Sequence, residues 1–294
     1  MLTQHGRIAS VWGWDFAADL PVLCPLLCLG LAYLFAVLHV NRTHPTQLWP
    51  IRQTIFFFIG LGLLCVVMVG PIAHAAMAAF SAHMVQHVVI MMLATPLIVL
   101  GAPVLLALRA CNSEVRRNRL VPLLRGKVVG VLTNPYVGWV LFALVILGLH
   151  FTPVMSLFMA WGSVGELLEY AIYISIAFIY YWPLLPGNPV PKPVAHAARI
   201  ASLFVMMVPE TMTGFFIYSA DFPLFSYFAQ VGGSAGVNVV LDQQLGGALM
   251  WSSAMIIDVA WISVAVYDWF GSEHTRTLRL DRAIAREHGS THVS

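Results

Sequence analysis

The sequence predicts an all-α integral membrane protein, a seven-transmembrane-helix bundle with its N-terminus outside and its C-terminus in the cytoplasm. Three observations carry this. Of 294 residues, 60% are hydrophobic and only 10% are charged, with a mean hydropathy of +0.82; a soluble domain carries roughly 25% charged residues. Seven apolar stretches approach the roughly 20 residues that cross a hydrocarbon core. With the N-terminus outside, every Lys and Arg except Arg7 falls on the inner side, the asymmetry that orients membrane helices.

Taken in order, residues 1–19 form an outer N-terminal segment and 20–270 a single membrane domain. The expected spans are Leu20–Val40, Gln53–Ile72, Ala79–Leu106, Pro135–Phe151, Val164–Leu185, Ile200–Ser219 and Leu245–Tyr267. The fourth is the shortest. The third contains Pro96, Gly101 and Pro103. A kink or partial re-entry is expected there, because proline removes a backbone donor and clashes with the preceding turn. Arg42 and Arg52 bracket the first inner loop, Arg109 to Lys127 fill the second, and Lys192 and Arg199 mark the third. The aromatic, glycine-rich loop 220–244 is expected to lie along the outer interface. The polar segment 271–294 is read as a cytoplasmic tail, a short surface helix with a disordered end. No cleavable signal peptide is evident. Cys24, Cys28, Cys65 and Cys111 form neither a CxxC pair nor a secreted disulfide pattern. Nothing suggests a nucleic-acid partner.

This topology sorts the eleven histidines. His39, His44, His196, His274, His288 and His292 fall at the inner face or in the tail, where histidines are usually solvated. His74, His83, His87 and His150 reach similar depth near the outer surface, from three different spans. His83 and His87 are one helical turn apart and share a face, and Met91 continues it. Imidazole suits copper, zinc and iron, and thioether donors shift the preference to Cu(I). Glu169 at the start of span five and Asp242 at the start of span seven reach the same level. Two readings of the histidine pair stand, a metal site or a hydrogen bond between helices. Ionisable groups inside a span favour function; for the methionines and for Cys24 and Cys28, apolar packing is the better reading. Glu210 and Asp258 sit near the middles of spans six and seven, as a proton or ion relay or as protonated, hydrogen-bonded acids.

Several chemistries are excluded. A zincin protease needs HExxH, with the Glu as general base; here the second position is Met84. A retinal protein needs a lysine in its last helix, and the two lysines, Lys127 and Lys192, both lie in inner loops. A two-haem bundle needs histidines placed to ligate haems stacked across the membrane, and His83 and His87 are too close together; one haem near the outer face stays open.

The stretch HMVQHVVIMMLATPLIVLGAP, with DQQLGGALMW from Asp242 to Trp251, resembles the CtaG-type assembly factors of caa3-type cytochrome c oxidase. His83, Gln86, His87, Pro96, Gly101 and Pro103 carry the first motif. Asp242, Gln243, Gly246, Gly247 and Trp251 carry the second, and His150 with Pro153 and the Tyr181-Trp182-Pro183 run fit beside them. The similarity runs from span two to span seven. The resemblance implies a multi-pass protein of the bacterial cytoplasmic (inner) membrane that matures a haem-copper oxidase, handles copper for its copper centres, and meets oxidase subunits and membrane lipids. It also implies a further histidine after the acid near the start of span five. This sequence has Glu169-Tyr170 there, so the site has one imidazole fewer or Glu169 takes its place. The expected metal set is His83 and His87 as core ligands, His74 and His150 from neighbouring helices, Asp242 or Glu169 as ligand or orienting group, and Met91 as a guide for Cu(I). Copper is the expected metal and zinc the alternative. The competing functions are a seven-span zinc hydrolase acting on a lipid amide or ester, a copper permease, and a structural subunit without metal. A homodimer is left open.

Overall fold

The computed structural model describes residues 16–234, 236 and 238–291; the expected outer segment lies outside these up to residue 15. The described chain is helical, with no strand among the described residues. Among the described residues, six helices are long and apolar enough to cross a membrane, and a bent pair makes a seventh crossing if it counts as one span. These candidate spans are α1 (Phe16–Thr43), α2 (Ile51–Met68), α4 (Phe80–Ala110), α7 (Ser163–Tyr181), α8 (His196–Ser219) and α10 (Val239–Thr291). The bent pair is α5 (Pro135–Phe151) and α6 (Val154–Ala160), which meet at 71°. Two short helices complete the described set used below, α3 (Pro71–Ala76) and α9 (Ser226–Ser234).

The central element is α4. Two-thirds of its most apolar window is buried, a larger share than in any other crossing helix. It is also irregular, as Pro96, Gly101 and Pro103 predict. A π-helical turn occupies Val89–Ala94, directly after His87, and Thr95 Oγ1 donates to the Ile90 carbonyl at 2.8 Å. A second break falls at Gly101–Ala102, where Ala102 has φ +52°. Its freed backbone groups find side-chain partners: Tyr33 Oη donates to Gly101 O at 2.8 Å, Asn188 Nδ2 to Val99 O at 2.7 Å, and Val104 N to Asn188 Oδ1 at 3.1 Å. Backbone irregularity in a bilayer persists only where such partners exist.

The DQxxGGxxxW segment turns out to be a docking device. A Cβ on Gly247 would lie 2.5 Å from Tyr218 N, and one on Gly214 would lie 2.8 Å from Trp251 N. The backbones of α8 and α10 therefore approach as only small residues permit. Gly246 opens the other side, where a Cβ would meet the Phe80 ring at 2.6 Å and Met84 at 3.1 Å. Gln243 ties down the preceding loop: Leu224 N donates to its Oε1 at 2.7 Å, and its Nε2 donates to Phe222 O at 3.2 Å.

Two expectations need correcting. The second span stops at Met68 instead of running to Ile72, because Gly70 takes φ +74° and Pro71 begins a new helix; proline cannot continue the donor ladder and restricts the residue before it. The polar tail is not a separate short helix. It continues α10 without interruption to Thr291, since no proline follows Pro223 to end it.

Candidate metal centre

His83 and His87 lie on the first two turns of α4, and i,i+4 spacing sends both imidazoles to one side. That side faces Glu169 of α7. His87 Nε2 stands 3.1 Å from His83 Nε2, His83 Nε2 stands 3.3 Å from Glu169 Oε1, and His87 Nε2 stands 3.5 Å from Glu169 Oε1. Three donor atoms from two helices thus form one small triangle. Each residue is at most 6% exposed. Ligands about 2.0–2.1 Å from a common ion, set at near-tetrahedral angles, lie roughly 3.3 Å from each other, so the triangle has the size of one face of a metal's coordination shell. The donor set, two imidazoles and a carboxylate, suits copper or zinc.

Around the triangle the hydrogen bonds are fixed by α7. Tyr173 Oη donates to Glu169 Oε1 at 2.5 Å and also contacts His87 Nε2. One turn earlier the pattern repeats: Tyr170 Oη donates to Glu166 Oε1 at 2.5 Å. Gln86 Nε2 donates to Tyr170 Oη at 2.6 Å and to the Val67 carbonyl at 2.7 Å. Gln86 thereby ties α4 to α7 and to the end of α2. Tyr170, at the position where a further histidine was expected, points into this second pair and not at the imidazoles. Glu169 takes the place in the triangle. Tyr173 is the residue that sequence reasoning missed; its signal is the i,i+4 spacing from Glu169.

His150, at the end of α5, lies beside the triangle. Its ring centroid is 5.2 Å from that of His87. Its Nδ1 sits 2.7 Å from the Ile146 carbonyl, so Nδ1 carries the proton and donates, and Nε2 keeps a bare lone pair. That Nε2 is buried with no hydrogen-bond partner, as is the second oxygen of Glu169, Oε2. A ligating histidine ordinarily shows this arrangement, with its other nitrogen held by a carbonyl.

The remaining expected ligands stand elsewhere. His74 rides on α3, past the Gly70–Pro71 break, and its Nε2 meets Asp19 Oδ1 at 3.4 Å; it does not join the triangle. Asp242 accepts from Phe80 N at 2.7 Å and from Ser81 Oγ at 2.5 Å. It caps the N-terminus of α4, where a negative charge is favoured, because the helix's own N-cap, Ala79, has no side-chain acceptor. Met91 is buried in the π turn and lines a small cavity below His87 and His150. Cys24 and Cys28 are exposed on α1.

Uncharacterized proteins of Mycobacterium leprae, Mycobacterium bovis and Mycobacterium tuberculosis are each 25% identical over 285 residues, which cover 94% of this chain and 42% of theirs. The chain thus spans less than half the length of these relatives. No solved structure matches it. The model of one family, described as cytochrome c oxidase caa3 assembly factor, matches residues 31–272, a range that contains the triangle, its tyrosines and the docking glycines, and the chain belongs to that family, Caa3_CtaG.

Proposed function

We propose that this protein is a membrane assembly factor for a haem-copper oxidase that holds a copper ion at His83, His87 and Glu169 and supports maturation of the oxidase's copper centre. The observation that carries the reading is the buried triangle of two imidazoles and a carboxylate, with donor separations of 3.1–3.5 Å. When bound, copper would be the cargo. His83 and His87 offer Nε2, Glu169 offers charge and oxygen, and His150 Nε2 is the neighbouring group free to enter. Tyr173 orients Glu169. The basic loops belong on the inner side by the charge asymmetry, which sets the triangle near the outer face of a bacterial inner membrane. The partners in this reading are oxidase subunits and anionic lipids at the basic loops; nucleic acid has no place in it.

A zinc hydrolase would use the same donors, but it needs a route for a lipid substrate and a water-filled coordination position. His83 and Glu169 are 1% and 0% exposed, which supports a holding site over a turnover site. A permease needs a cation path through the inner half. There the α8–α10 interface carries Arg199, whose Nη1 donates to Asp268 Oδ2 at 2.7 Å and whose Nε donates to Leu184 O at 2.6 Å. A fixed guanidinium opposes cation passage.

The test is metal content by mass spectrometry on the detergent-purified full chain beside a His83→Ala/His87→Ala double variant. About one copper per chain, lost in the variant, is expected. Zinc with lipid hydrolysis would move the assignment to the hydrolase, and no metal after copper loading would overturn the copper reading.

A further inference from the structure

An apolar cavity of about 450 Å³ lies where α1, α2, α4 and α7 meet the basic inner loop; Leu29, Phe57, Ile98, Leu124 and Phe178 are among its walls. It follows the helices. Its lining runs from Phe57 to Leu64 along α2 and from Ile174 to Trp182 along α7, about 10 and 12 Å of helix. Only two of its sixteen lining residues, Thr95 and Trp182, carry a polar side-chain atom. Both are engaged: Thr95 Oγ1 donates to Ile90 O at 2.8 Å, and Trp182 Nε1 donates to Pro189 O at 3.1 Å. The cavity therefore suits a hydrocarbon chain. A peptide would bring backbone groups that find no side-chain partner there.

A cationic hollow adjoins the cavity. Arg125, Lys127 and Lys192 line a space of about 740 Å³, together with Gly126, Gly130 and Asn134. All three cations are exposed, and no described carboxylate forms an ion pair with any of them. Leu124 is a wall of the cavity and Arg125 a wall of the hollow. Consecutive Cα atoms are about 3.8 Å apart, so the two spaces meet along one stretch of backbone. The segment that leads to it is amphipathic. Leu120, Leu123 and Leu124 line the cavity, while Arg116, Arg117 and Arg119 are exposed. Segments of this kind lie at the headgroup level of a bilayer, and the charge asymmetry sets this one on the inner side.

We propose that the cavity and the hollow form one binding site for an anionic phospholipid of the inner leaflet, with an acyl chain in the cavity and the phosphate on Arg125, Lys127 and Lys192. Basic hollows between membrane helices on the inner side hold anionic headgroups. The acyl chain packs beside α4 at Thr95 and Ile98, so the lipid is a structural part of the helix that carries the histidines. The site shares no residue with the histidine centre and does not rest on the copper reading.

The experiment is native mass spectrometry of the delipidated full chain in detergent. It is titrated with dioleoyl phosphatidylglycerol, with dioleoyl phosphatidylcholine, and with glycerol 3-phosphate, which has the phosphate without the chains. One phosphatidylglycerol per chain is expected, held about 10–100-fold more tightly than phosphatidylcholine, with no glycerol 3-phosphate retained. Arg125→Gln/Lys127→Gln/Lys192→Gln is expected to remove that preference. Arg116→Gln/Arg117→Gln/Arg119→Gln removes as many charges outside the hollow and is expected to keep it. Ala107 is an exposed residue of the cavity wall; Ala107→Phe grows into the cavity, leaves every cation in place, and is expected to weaken both lipids. Equal binding of the two lipids by the wild type overturns the site. An equal loss in the two triple variants also overturns it, since diffuse attraction to charge then suffices. Glycerol 3-phosphate held as tightly as the lipid makes the hollow a site for a free anion, and Ala107→Phe without effect takes the chain out of the cavity; either result overturns the proposal. No lipid retained by the wild type overturns it as well and leaves the cations to an acidic protein segment.

Discussion

The indole N–H of Trp261 donates to the carbonyl oxygen of Met92 at 2.7 Å. Met92 is four residues before Pro96, so its carbonyl is the one that the proline ring nitrogen leaves without a helical donor. Both residues are buried. A side chain from α10 therefore completes the backbone of α4 where the sequence breaks it, just past the two histidines. Trp261→Phe keeps an aromatic ring but removes the donor and part of the indole's volume. The expected result is a loss of about 1–2 kcal/mol of stability, read as a lowered unfolding midpoint in detergent. An unchanged midpoint would mean that the π turn stands without this bond.

Glu169→Gln separates charge from shape at the metal centre. Glutamine keeps an acceptor for Tyr173 and the reach toward His83 and His87, but it removes the negative charge that two imidazoles and a cation share. Copper affinity is expected to fall by more than the roughly 10–100-fold that altering a group behind the ligands costs, with the protein still folded. Competition against a copper chelator measures it. Affinity equal to wild type would take Glu169 out of the centre.

Asp242 has a different job, and the same assay distinguishes it. The carboxylate binds Phe80 N and Ser81 Oγ and meets no imidazole. Asp242→Ala is expected to lower stability by about 1 kcal/mol, the usual effect of losing a helix cap, while copper stoichiometry stays that of the wild type. Loss of the copper at full folding would restore Asp242 as a ligand.

The parts of this architecture that were legible in the sequence are those set by local periodicity. The i,i+4 pair His83 and His87 faces one way in any helix, and the kink in α4 follows from Pro96 and Gly101 whatever surrounds them. Glu169 was visible as an acid at the right depth, yet its arrival between the two imidazoles depends on how α7 rotates against α4, which no spacing in either segment encodes. The Gly70–Pro71 break was present in the sequence, but hydropathy runs smoothly through it and hid the end of α2. Asp242 and the two glycines after it read equally well as a ligand motif or a packing motif. The close approach of α8 and α10 decides for packing, and that is a tertiary fact.

The break at Gly70–Pro71 also decides between two histidines that the sequence treated alike. His150 keeps Nδ1 on the Ile146 carbonyl and leaves Nε2 buried and free beside His87. His74 is partly exposed and faces Asp19. A ligand that completes the centre must supply a lone pair toward it, and only His150 does so. His150→Ala is expected to weaken copper binding and to change the spectroscopic signature of a Cu(II)-loaded sample, because the nitrogen count around the ion falls. His74→Ala is expected to leave both the affinity and the signature as they were, and to lower stability, since it removes the imidazole that faces the buried Asp19. Electron paramagnetic resonance on the two variants, loaded alike, reads the nitrogen count directly. The reverse pattern, with the signature altered by His74→Ala and untouched by His150→Ala, would require α3 to swing toward α4 when copper binds.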